Sequence, residues 1–235
     1  MLKISDITKF TLQDYPNKLA CIIWFGGCNM RCKYCHNVEF LNQNDGFIGE
    51  NIILDFLRTK VGLLDGVVLS GGECTLNAEL ADFIVAIKTL GFAVKIDTNG
   101  LNFNTVRTLM ENGLADFVAL DFKAQKNKFT SVTQIDSKLY ENFENTLKLV
   151  VRNFLDGKIE AEIRTTVHTS LLQEDDLNDI IEIIDNLNYN GVFYIQNFRD
   201  DGKGTLSNLG KQDYILDKNK IVKPKNFSVV YRNFW

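Results

Sequence analysis

The sequence predicts an α/β protein built as an incomplete (β/α)6 barrel of parallel strands, and three patterns carry that expectation. Short β-branched and apolar runs alternate six times with segments whose apolar residues recur at helical spacing, as strands joined by right-handed crossovers do. The first run, residues 19–25, is apolar at nearly every position, the mark of a strand buried on both faces. Six units fall short of the eight that close a TIM barrel, so the sheet is expected to stay open, with a doubly wound sheet as the alternative.

The elements follow in order. After the strand at 19–25 and a polar link from Asn42 to Gly46, Ile52, Ile53, Phe56 and Leu57 place a helix within residues 49–60. Gly66 to Ser70 is the second strand; Leu76, Leu80, Phe83, Ile84, Ile87 and Leu90 form one helical stripe, closed by Gly91. Phe92 to Ile96 is the third strand, Asn104 to Asn112 a short helix ended by Gly113, and Phe117 to Leu120 the fourth strand. Tyr140, Phe143, Leu147, Val150, Val151 and Phe154 mark a longer helix that stops near Gly157, before a fifth strand from Ile159 to Val167. Leu177, Ile180, Ile181, Ile184 and Leu187 give the last helix, and Val192 to Ile195 the sixth strand. Regularity fades beyond Arg199, with one late strand candidate at Phe227 to Tyr231. A single domain over 1–235 is expected, with its core at about 18–198 and a less regular tail at 199–235.

Composition narrows the function. The chain of 235 residues is 45% apolar and 24% charged, near the averages for globular proteins, which excludes disorder and a disulfide scaffold. A formal charge of -4 gives no reason to expect nucleic acid as a partner. No apolar run spans a bilayer and MLKISDITKF lacks a signal pattern, so a cytoplasmic protein without a membrane partner is expected. Three of the five cysteines cluster, and in a reducing compartment such spacing points to metal or catalysis.

Polar residues gather where the strands end. Cys28, Cys32 and Cys35 follow strand one and Ser70-Gly71-Gly72-Glu73-Cys74-Thr75 strand two. Asp97-Thr98-Asn99-Gly100 follows strand three and Asp121-Phe122-Lys123 strand four. Arg164 and His168 lie near the end of strand five, and Gln196-Asn197-Phe198-Arg199 after strand six. C-terminal strand ends share one face in such folds, and sites are built there. C-x3-C-x2-C spacing fits three corners of an iron-sulfur cubane with one iron left open, and a Cys3His zinc site through His36 is the rival. Cys21 and Cys74 read as small buried residues.

Gly-Cys-Asn-x-Arg-Cys-x-Tyr-Cys-His-Asn at residues 27–37, with Gly71-Gly72-Glu73 downstream, resembles the radical S-adenosylmethionine (SAM) enzymes, in particular their glycyl-radical-enzyme activating branch. Within it the similarity is greatest to the anaerobic ribonucleoside-triphosphate reductase activating group, from Asp14-Tyr15-Pro16 to Gln196. The resemblance implies that Cys28, Cys32 and Cys35 hold a [4Fe-4S] cluster and that SAM chelates the open iron, to be cleaved to a 5′-deoxyadenosyl radical. It also implies cofactor contacts at Tyr34, Asn37, Gly71, Gly72, Glu73, Asp97, Thr98, Asp121, Lys123, Arg164, His168 and Gln196. Tyr34 would pack on adenine, and Gly71, Gly72 and Glu73 would accept from the SAM ammonium. Asp97 and Asp121 would lie near a monovalent cation, against the alternative that Lys123 simply pairs with one of them. Lys123 or Arg164 would meet the SAM carboxylate. Cys74 stands where the family commonly has proline, and a fourth thiolate would fill the iron that SAM needs.

The leading expectation is an activating enzyme that takes hydrogen from a glycine of a partner, anaerobic ribonucleoside-triphosphate reductase, with flavodoxin or ferredoxin as one-electron donor. Pyruvate formate-lyase as partner, a small-molecule reaction of the deazapurine synthase type, and a zinc-binding interaction module are the alternatives.

Overall fold

A computed structural model of the chain describes residues 1–41, 46–200, 202 and 204–234. Its centre is an eight-stranded sheet in the order of the sequence, β1 (Ile4–Thr11), β2 (Ala20–Phe25), β3 (Gly66–Gly71), β4 (Ala93–Thr98), β5 (Phe117–Asp121), β6 (Glu160–Val167), β7 (Val192–Asn197) and β8 (Ser228–Arg232). Strands β2 to β8 pair in parallel. The order never doubles back, as it must in a doubly wound sheet, and β1 and β8 do not pair. The result is the open barrel that the alternation predicts, with a strand added at each edge.

Helices α1 (Val38–Leu41), α2 (Glu50–Arg58), α3 (Leu80–Thr89), α4 (Phe103–Glu111), α5 (Lys126–Thr133), α6 (Tyr140–Leu155) and α7 (Glu174–Asp185) fill the crossovers. Their apolar stripes bury Phe83, Ile84, Ile87, Phe143, Leu147, Val150, Ile180 and Ile184 against Ile23, Leu69, Val94, Ile96, Leu120, Ile163 and Ile195 on the outer face of the sheet. The bounds of α2, α3, α4, α6 and α7 lie close to those read from periodicity. Cys21 and Cys74 are buried in this same layer. The link Asn42–Asp45 and Trp235 lie outside the described residues. Among the described residues no helix is long and apolar enough to cross a membrane.

Strand β1 and helices α1 and α5 lie beyond the periodic reading. Strand β1 runs antiparallel to β2 with register irregularities between Ile4 and Asp6 and between Thr8 and Thr11, and such bulges erase the alternation that marks a strand. Helix α5 buries only Phe129, Val132 and Thr133 and ends on Gln134 at φ 59°, too short and polar to show a stripe.

The inner face is layered. At the bottom Tyr15 is buried and packs edge-to-face on Phe117, with ring centroids 5.8 Å apart, beside Ala20, Ile22, Val68 and Ala119. Above it stand charged residues of β4, β5 and β6, and then the open mouth. Between β6 and β7 the buried Tyr189 hydroxyl donates to Ala161 O at 3.0 Å and accepts from Val192 N at 3.1 Å. Tyr189→Phe leaves both groups unpaired in the core, and urea denaturation should show a loss of about 1–3 kcal/mol.

Candidate active site

The strand ends do converge. Cys28, Cys32, Tyr34, Cys35, Asn37, Gly71, Gly72, Glu73, Asp97, Thr98, Asp121, Lys123, Arg164 and Gln196 line one cleft of about 330 Å³. The cysteine loop leaves β2 through Gly26 and Gly27, whose amides donate to Lys3 O and Phe40 O at 2.7 Å. Its far side is pinned twice. Arg31 N and Lys33 N donate to Thr133 O and Val132 O at the end of α5, at 2.9 and 3.0 Å, while Leu206 N and Ser207 N donate to Cys35 O and Lys33 O at 3.2 Å. The Arg31 guanidinium closes the loop on itself, donating to Cys28 O and Met30 O at 2.7 and 2.8 Å.

Burial pushes the Cys28 thiol up to about 11 and the Cys32 thiol to about 12, and raises Cys35 as well, with Lys123 opposing the rise at each. Thiols held this way ionise for a metal rather than for water. Cys28 Sγ accepts from Met30 N at 3.4 Å and from Asn99 Nδ2 at 3.7 Å, donors of the kind that tune cluster sulfurs. His36 stacks on Phe198, with ring centroids 4.9 Å apart and planes 14° apart, so its ring forms a wall beside the thiols. Three soft ligands on one cleft and a buried Tyr34 hydroxyl without a partner among the described residues fit a cluster with a second molecule bound against it.

The Gly-Gly-Glu turn is laced to the cysteine loop. Gly71 sits at φ +120°, and a Cβ on Gly72 would stand 2.1 Å from Gly27 O. Gly72 N donates to Phe25 O at 2.8 Å, Glu73 N to Gly27 O at 2.9 Å, and Asn37 Nδ2 to Gly71 O at 3.1 Å. Glu73 is 1% exposed. Its Oε1 accepts from Thr75 Oγ1 at 2.6 Å and Thr98 Oγ1 at 2.8 Å, and its Oε2 from Asn99 N at 2.8 Å. Burial raises this carboxyl although those donors pull it down. Glu73 and Thr98 therefore bind the turn after β3 to the turn after β4, beyond the direct cofactor contact the resemblance implies.

Opposite them lies the charged floor. Arg164 Nε donates to Asp121 Oδ1 at 2.9 Å, its Nη1 lies 3.5 Å from Asp97 Oδ2, and Lys123 Nζ donates to Asp121 Oδ2 at 3.0 Å. The Lys123 ammonium also stands 5.9 Å over the Tyr34 ring. Burial pushes Asp121 up, but Arg164 and Lys123 outweigh it and hold the carboxyl at about 2, and Arg164 with Lys95 likewise holds Asp97 below its ordinary value.

His168 is corrected. Strand β6 ends at Val167 and the chain turns, with Leu171 N and Leu172 N donating to His168 O. The ring lies outside the cleft, 3% exposed, donating from Nε2 to Gly210 O at 3.0 Å and taking Ser170 Oγ at Nδ1 at 2.7 Å. It ties the irregular tail to the barrel. Sequence reasoning passed over Asn99, Ser70, Trp24 and Thr166, which line the same cleft. Asn99 and Ser70 stand in runs already quoted; Trp24 and Thr166 lie an even number of residues along the strands from inward-facing positions, a signal available from period two alone.

The sequence model of the radical SAM superfamily matches residues 22–187, from β2 through α7. The chain belongs to that superfamily. A Methanocaldococcus jannaschii protein provisionally named a glycyl-radical enzyme activating enzyme is 31% identical over 97% of this chain and 95% of its own. The pyruvate formate-lyase-activating enzyme of Clostridium pasteurianum is 33% identical over 52% of this chain and 53% of its own. Streptococcus suis SuiB bound to S-adenosylmethionine superposes with a TM-score of 0.59 at 15% identity, over 81% of this chain and 44% of that one. Native anSMEcpe with bound AdoMet gives 0.57 at 18% identity, over 74% and 50%. The chain thus spans about half the length of these two solved structures and of the Clostridium enzyme. It is an enzyme of the radical SAM class, whose chemistry runs on a [4Fe-4S] cluster and SAM, and Cys28, Cys32 and Cys35 are the thiols on the cleft able to hold the cluster.

Two outcomes follow from this geometry. Cys32→Ala should abolish iron and sulfide binding after anaerobic reconstitution, while Cys74→Ala, whose Sγ faces Asp97 O at 3.6 Å outside the cleft lining, should retain both by elemental analysis. Asp121, depressed to about 2, contributes stability that is full above about pH 4 and lost as pH falls toward its folded value. Arg164→Met removes its chief partner, so acid unfolding of the cluster-free protein, followed by circular dichroism, should begin at higher pH.

Proposed function

We propose that the chain is an activating enzyme that makes the glycyl radical of a partner, most directly anaerobic ribonucleoside-triphosphate reductase, with flavodoxin or ferredoxin supplying the electron. The observation that carries the reading is the size of the cleft. At about 330 Å³ it lies at the lower end of ligand pockets, room for one cofactor with the second reactant approaching from outside, as a loop of a protein substrate does. The match to the Methanocaldococcus protein along nearly its whole length supports the same reading.

In this reading the cluster and SAM supply one-electron cleavage of the sulfonium and a radical that takes hydrogen. The chain supplies position and field. Arg164 and Lys123 would receive the SAM carboxylate, the Gly71-Gly72 turn would take its ammonium, and Tyr34 and Gln196 would flank the remainder. Asn37 and Glu73 hold the carbonyl-bearing turn still. A monovalent cation at Asp97 and Asp121 would have to displace Lys95, Lys123 or Arg164 from a carboxylate.

The partial matches to pyruvate formate-lyase-activating enzymes favour a second partner for the same chemistry. Reconstituted protein, SAM and reductant should give a glycyl radical signal by electron paramagnetic resonance with anaerobic ribonucleotide reductase and none with pyruvate formate-lyase. The converse result transfers the partner. SAM cleavage that needs a small molecule and gives no protein radical overturns the activase reading.

A further inference from the structure

Beneath the cleft lies a second tier of charge. Lys95 on β4 and Glu162 on β6 are 1% and 4% exposed, and neither lines the cleft. Each stands two residues before a cleft residue on the same strand face, Asp97 and Arg164 respectively. Lys95 Nζ is 2.7 Å from Asp97 Oδ1 and 3.6 Å from Glu162 Oε1, and 5.5 Å over the Phe117 ring. Glu162 Oε1 is 3.5 Å from Arg164 Nη1, and its Oε2 is 3.7 Å from Arg232 Nη2. Arg232, on the edge strand β8, stacks 3.5 Å over the Tyr194 ring.

Stability does not explain such a tier. Taking two charges out of water costs several kcal/mol per ion, and apolar residues of similar volume fill the same space as well or better. What the tier supplies is direction. Asp97 is held at Oδ1 by Lys95 and at Oδ2 by Ser70 Oγ, at 2.7 and 3.1 Å. Arg164 is held at Nε by Asp121 and at Nη1 by Glu162 and Asp97, and among the described residues its hydrogen bonds leave from Nε and Nη1 and not from Nη2. The guanidinium is thus held through Nε and Nη1, with the second amino group, Nη2, in reserve.

We propose that Lys95 and Glu162 are positioning residues for the cofactor: they lock Asp97 and Arg164 from below so that Arg164 presents its Nη2 donors to the carboxylate of SAM in the cleft. The proposal rests on the reading of the cleft as the SAM site. Planar donors recognise carboxylate only when oriented, and the lock is what keeps the guanidinium in this one orientation between Asp97, Asp121 and Glu162. The reserve is also electrostatic. Lys95, Lys123, Arg164 and Arg232 face the three carboxylates of Asp97, Asp121 and Glu162, so the floor carries one positive charge more than it consumes.

The test uses full-length, anaerobically reconstituted protein and its Lys95→Met, Glu162→Gln and double variants. Iron content should equal wild type in all three. The SAM dissociation constant by equilibrium dialysis should rise about tenfold or more in each single variant, as for one lost charged hydrogen bond, and the double should be no worse than the weaker single because both act through one lock. In dithionite-driven SAM cleavage KM should rise while kcat at saturating SAM stays within about twofold. If Lys95→Met does not fold, the double, which removes one charge of each sign, decides by its dissociation constant alone. A lower melting temperature with unchanged SAM affinity and KM makes the tier merely structural and overturns the proposal. Wild-type protein that fails to bind SAM overturns the cofactor reading together with it.

Discussion

The constraint on which the structure turns is the neutralisation of charge inside the barrel. Lys95, Asp97, Asp121, Lys123, Glu162 and Arg164 come from three neighbouring strands and the loop after β5, and each meets an opposite charge within 3.6 Å. Breaking such a pair strands a buried ion at about 3–5 kcal/mol, so the network holds only if β4, β5 and β6 lie side by side in this register. A slip of one residue would turn Lys95 and Glu162 into the apolar layer under the helices. The polar interior thereby specifies the pairing of strands whose outer faces, mostly apolar, discriminate registers weakly.

The same argument explains which parts of the molecule were legible in the sequence. Helices α3, α6 and α7 are amphipathic over nearly three turns or more, so their stripes stand out, and strands buried on both faces read as apolar runs. The sites at the strand ends followed from the parallel order alone. Lys95 and Glu162 did not emerge, because each reads as an ordinary surface charge until it is noticed that Lys95-x-Asp97, Asp121-x-Lys123 and Glu162-x-Arg164 all repeat at the period of a strand. His168 misled for the converse reason: it keeps the parity of Arg164, but the strand ends one residue earlier and the ring swings to Gly210. Parity carries information only while the strand lasts.

The cysteine loop shows why its supports were invisible beforehand. It has few apolar residues of its own, so its shape is imposed by backbone hydrogen bonds from distant segments: Val132 and Thr133 at the end of α5, and Leu206 and Ser207 in the tail. Neither segment carries a periodic pattern, since each is selected for where it puts a carbonyl or an amide. His168 and Phe198 extend the same support. Phe198 lies between His36 and His168, with ring centroids 4.9 Å from each, and His168 fastens Gly210. The irregular tail is thus part of the frame around the thiols.

The cleft is asymmetric in charge, and the asymmetry follows from which strands supply its walls. The β3 side brings Gly71, Gly72 and Glu73 to the cleft, and the β5 and β6 side brings Lys123 and Arg164. A zwitterion with ammonium and carboxylate on one carbon meets complementary partners in one orientation only. Reversed, it would set its carboxylate toward carbonyl oxygens in a site where water cannot screen the repulsion. Under the proposed function that orientation would be set by backbone and by paired side chains, and such preorganisation lets a short cleft select one pose of a flexible molecule. The proposed function then divides the labour: the sheet's interior charge would set where the amino acid end lies, and the cysteine loop which metal it meets.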